Sequence, residues 1–320
     1  MQFFPLMFSG WLSRSTVRRA TAVLSLCASC AIAGATPLVI AHRGGTGDEP
    51  ENTLTAIRSS LHNKADVIWM TVQVSSDGVP VLYRPADVSA LSEGKGPVNL
   101  MTLAQLQQLN VAYHFSRTDG NSNKVFPYRE TGLGMPTLQQ ALRAVPKSVS
   151  VVIDLKQFPA EPLVAAVAQV LGDERAWERV HIYSTETEIL RLMVNYPQAS
   201  MFETRDATRM RLSEVALSGS CEKPPASGTW AGIELERNVT VVEKFTLGEG
   251  RSEVRARWWT PAAVACFKTN PNVKIVVFGI DSAAAYAAAA RLGVDGVMTD
   301  SPIKMRTIKQ KLEEADSLTK

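Results

Sequence analysis

From Pro37 onward the chain alternates between two hydrophobic periodicities. Short apolar runs bounded by turn residues predict buried parallel strands at 38–41, 67–74, 149–153, 180–183, 200–202, 233–235, 274–278 and 296–298. Between several of them the apolar spacing lengthens to three and four, which predicts helices over 53–61, 137–145, 162–171, 186–194 and 282–292. Eight strands interleaved with helices predict an α/β fold, a (β/α)8 TIM barrel with a small insertion. An open doubly wound sheet is the other arrangement such alternation allows, and residues 200–202 carry the faintest strand signal.

Three stretches break the alternation. Asp77-Gly78 joins the second run to residues 79–83 as a hairpin-like turn. The polar stretch 114–134 reads as a loop inserted near the barrel mouth, and 218–228, with Pro224-Pro225, as a loop before the sixth strand. No internal repeat is present.

The segment before Pro37 follows a different logic. Arg18 and Arg19 precede an apolar run, 20–33, of signal-peptide length and too short to span a bilayer comfortably. Ala33-Gly34-Ala35 is an A-x-A cleavage site. Residues 1–35 are therefore expected to be a signal peptide, and 36–320 an exported domain, periplasmic or secreted, with no stable membrane insertion after cleavage. An uncleaved anchor is the alternative.

Composition narrows the function classes. With 45% hydrophobic and 20% charged residues, the 320-residue chain is not a disordered, collagen-like or polytopic membrane protein. The formal charge of +3 resides in Arg14, Arg18 and Arg19; residues 36–320 are formally neutral, which gives no global case for binding nucleic acid. Cleavage leaves two cysteines, Cys221 and Cys266. In an oxidising compartment they either pair or remain separate buried thiols, and the pair is expected.

The site of an α/β barrel lies at the C-terminal ends of its strands. His42-Arg43-Gly44-Gly45 follows the first strand directly, and Glu51-Asn52-Thr53 opens the first helix. Arg43 suits paired phosphate oxygens and His42 can carry a proton at neutral pH. Pro50, Glu51, Asn52 and Thr53 also have ordinary roles at a helix start.

These residues, followed by Ala65-Asp66 to Gln73, Asp77-Gly78-Val79-Pro80-Val81, Ile153-Asp154-Leu155-Lys156 and 293–302, resemble the glycerophosphodiester phosphodiesterase family in order and over nearly the whole of 36–320. The resemblance implies a (β/α)8 barrel and metal-assisted hydrolysis of glycerophosphodiesters to glycerol 3-phosphate and an alcohol. It also implies an E-x-D pair on the second strand holding a divalent cation, calcium or magnesium. Here Trp69 and Thr71 stand at those positions, leaving Asp154 and Glu51 as the carboxylates for a cation. Arg84 stands where the family has its second histidine; arginine cannot shuttle a proton but can grip a phosphate. Arg43, Arg84 and Lys156 then face an anion, and His42 is the one family histidine retained. Trp69 either packs against a glycerol or headgroup or fills a barrel layer. His114, in the inserted loop, is the remaining substitute histidine. Two functions follow: hydrolysis of a glycerophosphodiester at an altered site, or phosphodiester or phosphate binding without catalysis on the same fold.

Overall fold

The computed structural model describes residues 36–318; the expected signal segment 1–35 lies outside them. The strands are β1 (Leu38–Ala41), β2 (Val67–Val74), β3 (Pro80–Leu82), β4 (Arg117–Thr118), β5 (Lys124–Val125), β6 (Ser150–Leu155), β7 (Val180–Tyr183), β8 (Ser200–Met201), β9 (Trp230–Glu234), β10 (Glu236–Phe245), β11 (Gly248–Arg257), β12 (Lys274–Phe278) and β13 (Gly296–Thr299). The helices are α1 (Leu54–His62), α2 (Leu103–Gln107), α3 (Leu138–Ala144), α4 (Ala160–Asp173), α5 (Thr187–Met193), α6 (Arg205–Ser218), α7 (Pro261–Phe267), α8 (Ala283–Leu292) and α9 (Pro302–Leu318).

Eight strands pair in parallel in the order β8-β7-β6-β2-β1-β13-β12-β9. A single parallel bridge between Phe202 and Trp230 joins the two ends. The sheet is a (β/α)8 barrel, and the open doubly wound alternative falls away. All eight expected strands are present. β3 returns antiparallel on β2 through Asp77-Gly78, where Gly78 takes a φ of 81° that the turn requires.

Strand alternation sorts the core into two layers. Inward residues Ile40, Val67, Trp69, Val152, Tyr183, Phe202, Val276, Phe278 and Met298 fill the barrel. Outward residues such as Ile68, Met70, Val151 and Ile153 pack against α1, α3, α4 and α5, and Val39, Ile275 and Val297 against the helices of the other half. Trp69 therefore fills a barrel layer, its ring 4.9 Å from Tyr183 and 5.5 Å from Phe278.

Two segments decorate this frame. The insertion between β3 and α3 has its own small core of Tyr83, Val88, Val98, Leu106, Val111 and Met135, and 114–134 within it is loop apart from the short β4–β5 ladder. The second segment is a ten-pair antiparallel hairpin, β10–β11, exposed along its length. The sequence reading did not anticipate it. Cys221, in the loop after α6, and Cys266, in α7, form a disulfide with Cα atoms 5.6 Å apart. Among the described residues no helix is long and apolar enough to cross a membrane.

Candidate active site at the barrel mouth

Residues two beyond the inward layer project at the C-terminal mouth. Thus Ile40 leads to His42, Trp69 to Thr71, Val152 to Asp154 and Met298 to Asp300. The register sets Thr71 directly beside Asp154 across β2 and β6.

The first loop is held in an unusual backbone. Arg43 and Asn52 both adopt the left-handed region, with φ of 49° and 57°, a conformation that costs a non-glycine residue about 1 kcal/mol or more. The backbone N–H of Asn52 donates to the Arg43 carbonyl at 2.8 Å. Asn52 Oδ1 accepts from the backbone N–H of Thr71 at 2.9 Å, which ties this loop to β2. Gly45 has a φ of 98°, and a Cβ there would lie 2.5 Å from Ser60 Oγ, so only glycine fits.

The side chains then fall into three pairs. His42 Nδ1 lies 2.6 Å from Asp300 Oδ1, and this hydrogen bond holds the Asp300 carboxyl below its ordinary range. It fixes the imidazole and leaves Nε2 for other work. Arg43 donates through Nη1 to Glu51 Oε2 at 2.6 Å. Lys156 Nζ stands 3.4 Å from Asp154 Oδ1 and donates to Thr185 Oγ1 at 2.7 Å. Asp154 is 7% exposed; burial pushes its carboxyl up to about 6, against the opposing pull of Lys156, His42 and Arg43.

One property marks the region as a binding site. Among the described residues eight buried side-chain polar atoms have no hydrogen-bond partner, and six of them belong here: Arg43 Nε, Glu51 Oε1, Asn52 Nδ2, Trp69 Nε1, Thr71 Oγ1 and Asp154 Oδ1. Each such atom costs about 1–3 kcal/mol if left dry and unpaired. Their concentration in one place makes a polar pocket, which water fills at rest and a polar ligand can take over. Arg43, Asn52 and Trp69 supply donors, which anionic oxygens accept; Glu51 and Asp154 supply acceptors, which hydroxyls satisfy.

The sequence-derived candidates do not all converge. His42, Arg43, Glu51, Thr71, Asp154 and Lys156 belong to the mouth, with Trp69 one layer beneath it. Arg84 follows β3 on the same side of the barrel but is exposed and unpaired among the described residues. His114 is exposed in the insertion, its ring against Tyr113. His181 is stacked on Trp230 and driven down to about 4 by burial, so it is a neutral core residue. Sequence reasoning missed Asp300, Asn52 and Thr185 as parts of the site. Asp300 lay within the quoted terminal motif, but its pairing with a residue 258 positions earlier had no local signal.

The donor set tests the expected cation. Family members generally use a divalent metal, and Glu51 and Asp154 are the carboxylates available. Among the described residues no three His, Cys, Asp or Glu side chains come together to hold one. Glu51 is engaged by Arg43, Asp154 is paired with Lys156, and the E-x-D positions are Trp69 and Thr71. A hard divalent ion prefers six or more oxygens. The arrangement does not fit a tightly held cation.

The fold is a (β/α)8 barrel whose mouth carries a His–Asp pair, an arginine held by a glutamate, and buried donors and acceptors side by side. The model of the glycerophosphoryl diester phosphodiesterase family matches residues 42–304, and the chain belongs to that family. It is 44% identical over 288 residues to uncharacterized protein Rv2277c of Mycobacterium tuberculosis, covering 88% of this chain and 95% of the relative. The crystal structure of that protein's glycerophosphoryl diester phosphodiesterase domain superimposes with a TM-score of 0.80 over 85% of this chain and 99% of that one. Human glycerophosphodiester phosphodiesterase 1 is 40% identical over 92 residues, 28% of either chain. An Oleispira antarctica phosphodiesterase, solved with its product sn-glycerol-3-phosphate, shares the fold at a TM-score of 0.62 and 20% identity, over 86% of this chain and 97% of that one.

Proposed function

We propose that the protein is exported and hydrolyses glycerophosphodiesters at the barrel mouth, holding the phosphodiester through its own side chains. The observation that carries this reading is the cluster of six buried polar atoms without a hydrogen bond beside the His42–Asp300 pair, of which only Asp154 Oδ1 has an ion-pair neighbour, Lys156. Arg43 and Lys156 supply positive charge to the phosphate oxygens. Glu51 Oε1 and Asp154 Oδ1 accept from glycerol hydroxyls. His42 Nε2, with Nδ1 fixed by Asp300, moves the proton as water adds to phosphorus and the ester P–O bond breaks. Water thus supplies hydroxyl to phosphorus and hydrogen to the departing alcohol. The Cys221–Cys266 disulfide supports an oxidising compartment.

The second reading, binding without turnover, draws on Arg84. At the place of the family's second histidine stands an exposed cation that cannot exchange a proton.

Release of glycerol 3-phosphate from a set of glycerophosphodiesters, with and without chelator, tests the proposal. Turnover that survives chelator and falls about 10²- to 10⁴-fold in His42→Ala supports it. Binding with no turnover in the wild type leaves the second reading, and turnover only with added calcium or magnesium refutes the metal-free site.

A further inference from the structure

A cleft of about 490 Å³ opens beside Lys156, between the insertion after β3 and the loop after β6. Its walls include Ala86, Pro97 and Asn99 on one side and Lys156, Phe158 and Glu186 on the other. Asn99 Nδ2 donates to the Phe158 carbonyl at 3.4 Å, across the floor between the two loops. The Phe158 side chain is apolar yet 49% exposed, and it lines this cleft. Glu186 is half-buried, and one of its oxygens accepts from Thr185 Oγ1 at 3.1 Å. Its other oxygen has no partner among the described residues.

These groups continue outward from the phosphate site as a chain of alternating charge. Asp154 pairs with Lys156, Lys156 donates to Thr185, and Thr185 donates to Glu186. The cation comes before the anion on the way out of the barrel. A ligand that complements this order is a zwitterion, with its phosphodiester at Lys156 and a positive group a few bonds further at Glu186. A cleft lined by both an aromatic ring and a carboxylate is an environment in which an alkylammonium group binds well, through cation–π and ionic attraction together.

Building on the proposed phosphodiester site, we propose that this cleft is the headgroup subsite and selects glycerophosphodiesters whose alcohol carries an ammonium group. Glu186 and Phe158 are its specificity-determining residues. A headgroup of neutral hydroxyls gains neither contact.

Titration calorimetry with glycerophosphocholine, glycerophosphoethanolamine and glycerophosphoglycerol tests this on the chain with the wild-type cleft, on Glu186→Gln, on Phe158→Ala and on the double variant, all carrying His42→Ala so that the ligands are bound and not consumed. The wild-type cleft is expected to bind the two cationic ligands about five- to tenfold more tightly than the neutral one, as an exposed ion pair plus one cation–π contact allow. Glu186→Gln and Phe158→Ala should each lower that ratio, and the double variant should bring it close to one. Neither side chain belongs to a core cluster and Glu186→Gln keeps the shape, so both variants retain the fold. Equal affinity for all three ligands in the wild-type cleft overturns the subsite while leaving the phosphodiester reading intact. A preference undiminished in Glu186→Gln overturns the role of the carboxylate. Failure to bind any of the three overturns the phosphodiester reading, and the subsite with it.

Discussion

Replacing Asp154 by asparagine should make the protein more stable at neutral and alkaline pH, and only there. The carboxyl is buried and its folded pKa is about 6, against 3.8 for an ordinary aspartate. At about 1.36 kcal/mol per pH unit, that gap is roughly 3 kcal/mol. The sign follows from proton binding: between pH 3.8 and about 6 the folded state holds the proton that the unfolded chain has released. Stability from this group is therefore greatest below pH 3.8 and is lost as pH rises through about 6. Above that, the fold carries a buried carboxylate that desolvation disfavours more than Lys156 compensates. Asparagine has the same shape and no charge, and Lys156 keeps its hydrogen bond to Thr185. Urea unfolding of both proteins from pH 3.5 to 8.5 should give curves that coincide at the acid end. They should separate by up to about 3 kcal/mol at pH 8, on the order of 5–10 °C in Tm. A variant less stable than wild type at pH 8, or a difference independent of pH, would refute the assignment of burial as the dominant cause. A residue whose removal stabilises the fold is one retained for its chemistry.

Three further outcomes are expected, two from the structure and one from the sequence before Pro37. Arg84→Ala should weaken binding of inorganic phosphate or a glycerophosphodiester about tenfold, the lower end for a charge-assisted contact because the side chain is exposed; unchanged affinity by calorimetry would remove it from the site. Thiol titration of the denatured, unreduced protein should find neither Cys221 nor Cys266 free, and reduction should cost about 2–4 kcal/mol because the bond closes a loop of 45 residues. Intact mass of the exported protein should begin at Thr36, and a mass retaining residues 1–35 would exclude cleavage there.

The barrel was legible because its strands are buried on both faces and so appear as unbroken apolar runs. Elements without a broad buried face were not. Helix α6 buries only Thr208, Leu212 and Val215 in fourteen residues, too thin a stripe to register. Hairpin β10–β11 buries neither face, and its apolar residues do not alternate: Val239, Val241 and Phe245 share a face with Glu243, while Val242 lies on the other with Thr240 and Lys244. The site divides in the same way. His42, Arg43 and Glu51 stand within ten residues of one another and read as a motif. The partner of His42 comes from the far end of the chain, and Thr185 reaches Lys156 from a neighbouring strand's loop. Only the closed sheet brings those together. The role of Trp69 was undetermined because both of its readings place it inward; its contacts with Tyr183, Phe202 and Phe278 put it in the barrel layer.

The closing bridge between Phe202 and Trp230 implies an uneven barrel. Every other junction of the sheet is a ladder of two or more registered pairs, whereas β8 and β9 meet at that one point. Cooperative opening should begin where the fewest bonds must break. Amide exchange at the backbone around Phe202 and Trp230 should therefore outpace that of the β2–β6 ladder, so that the barrel breathes along a seam. The Cys221–Cys266 link ties the loop leading into β9 to the helix beyond it, and acts there as a clasp beside the seam.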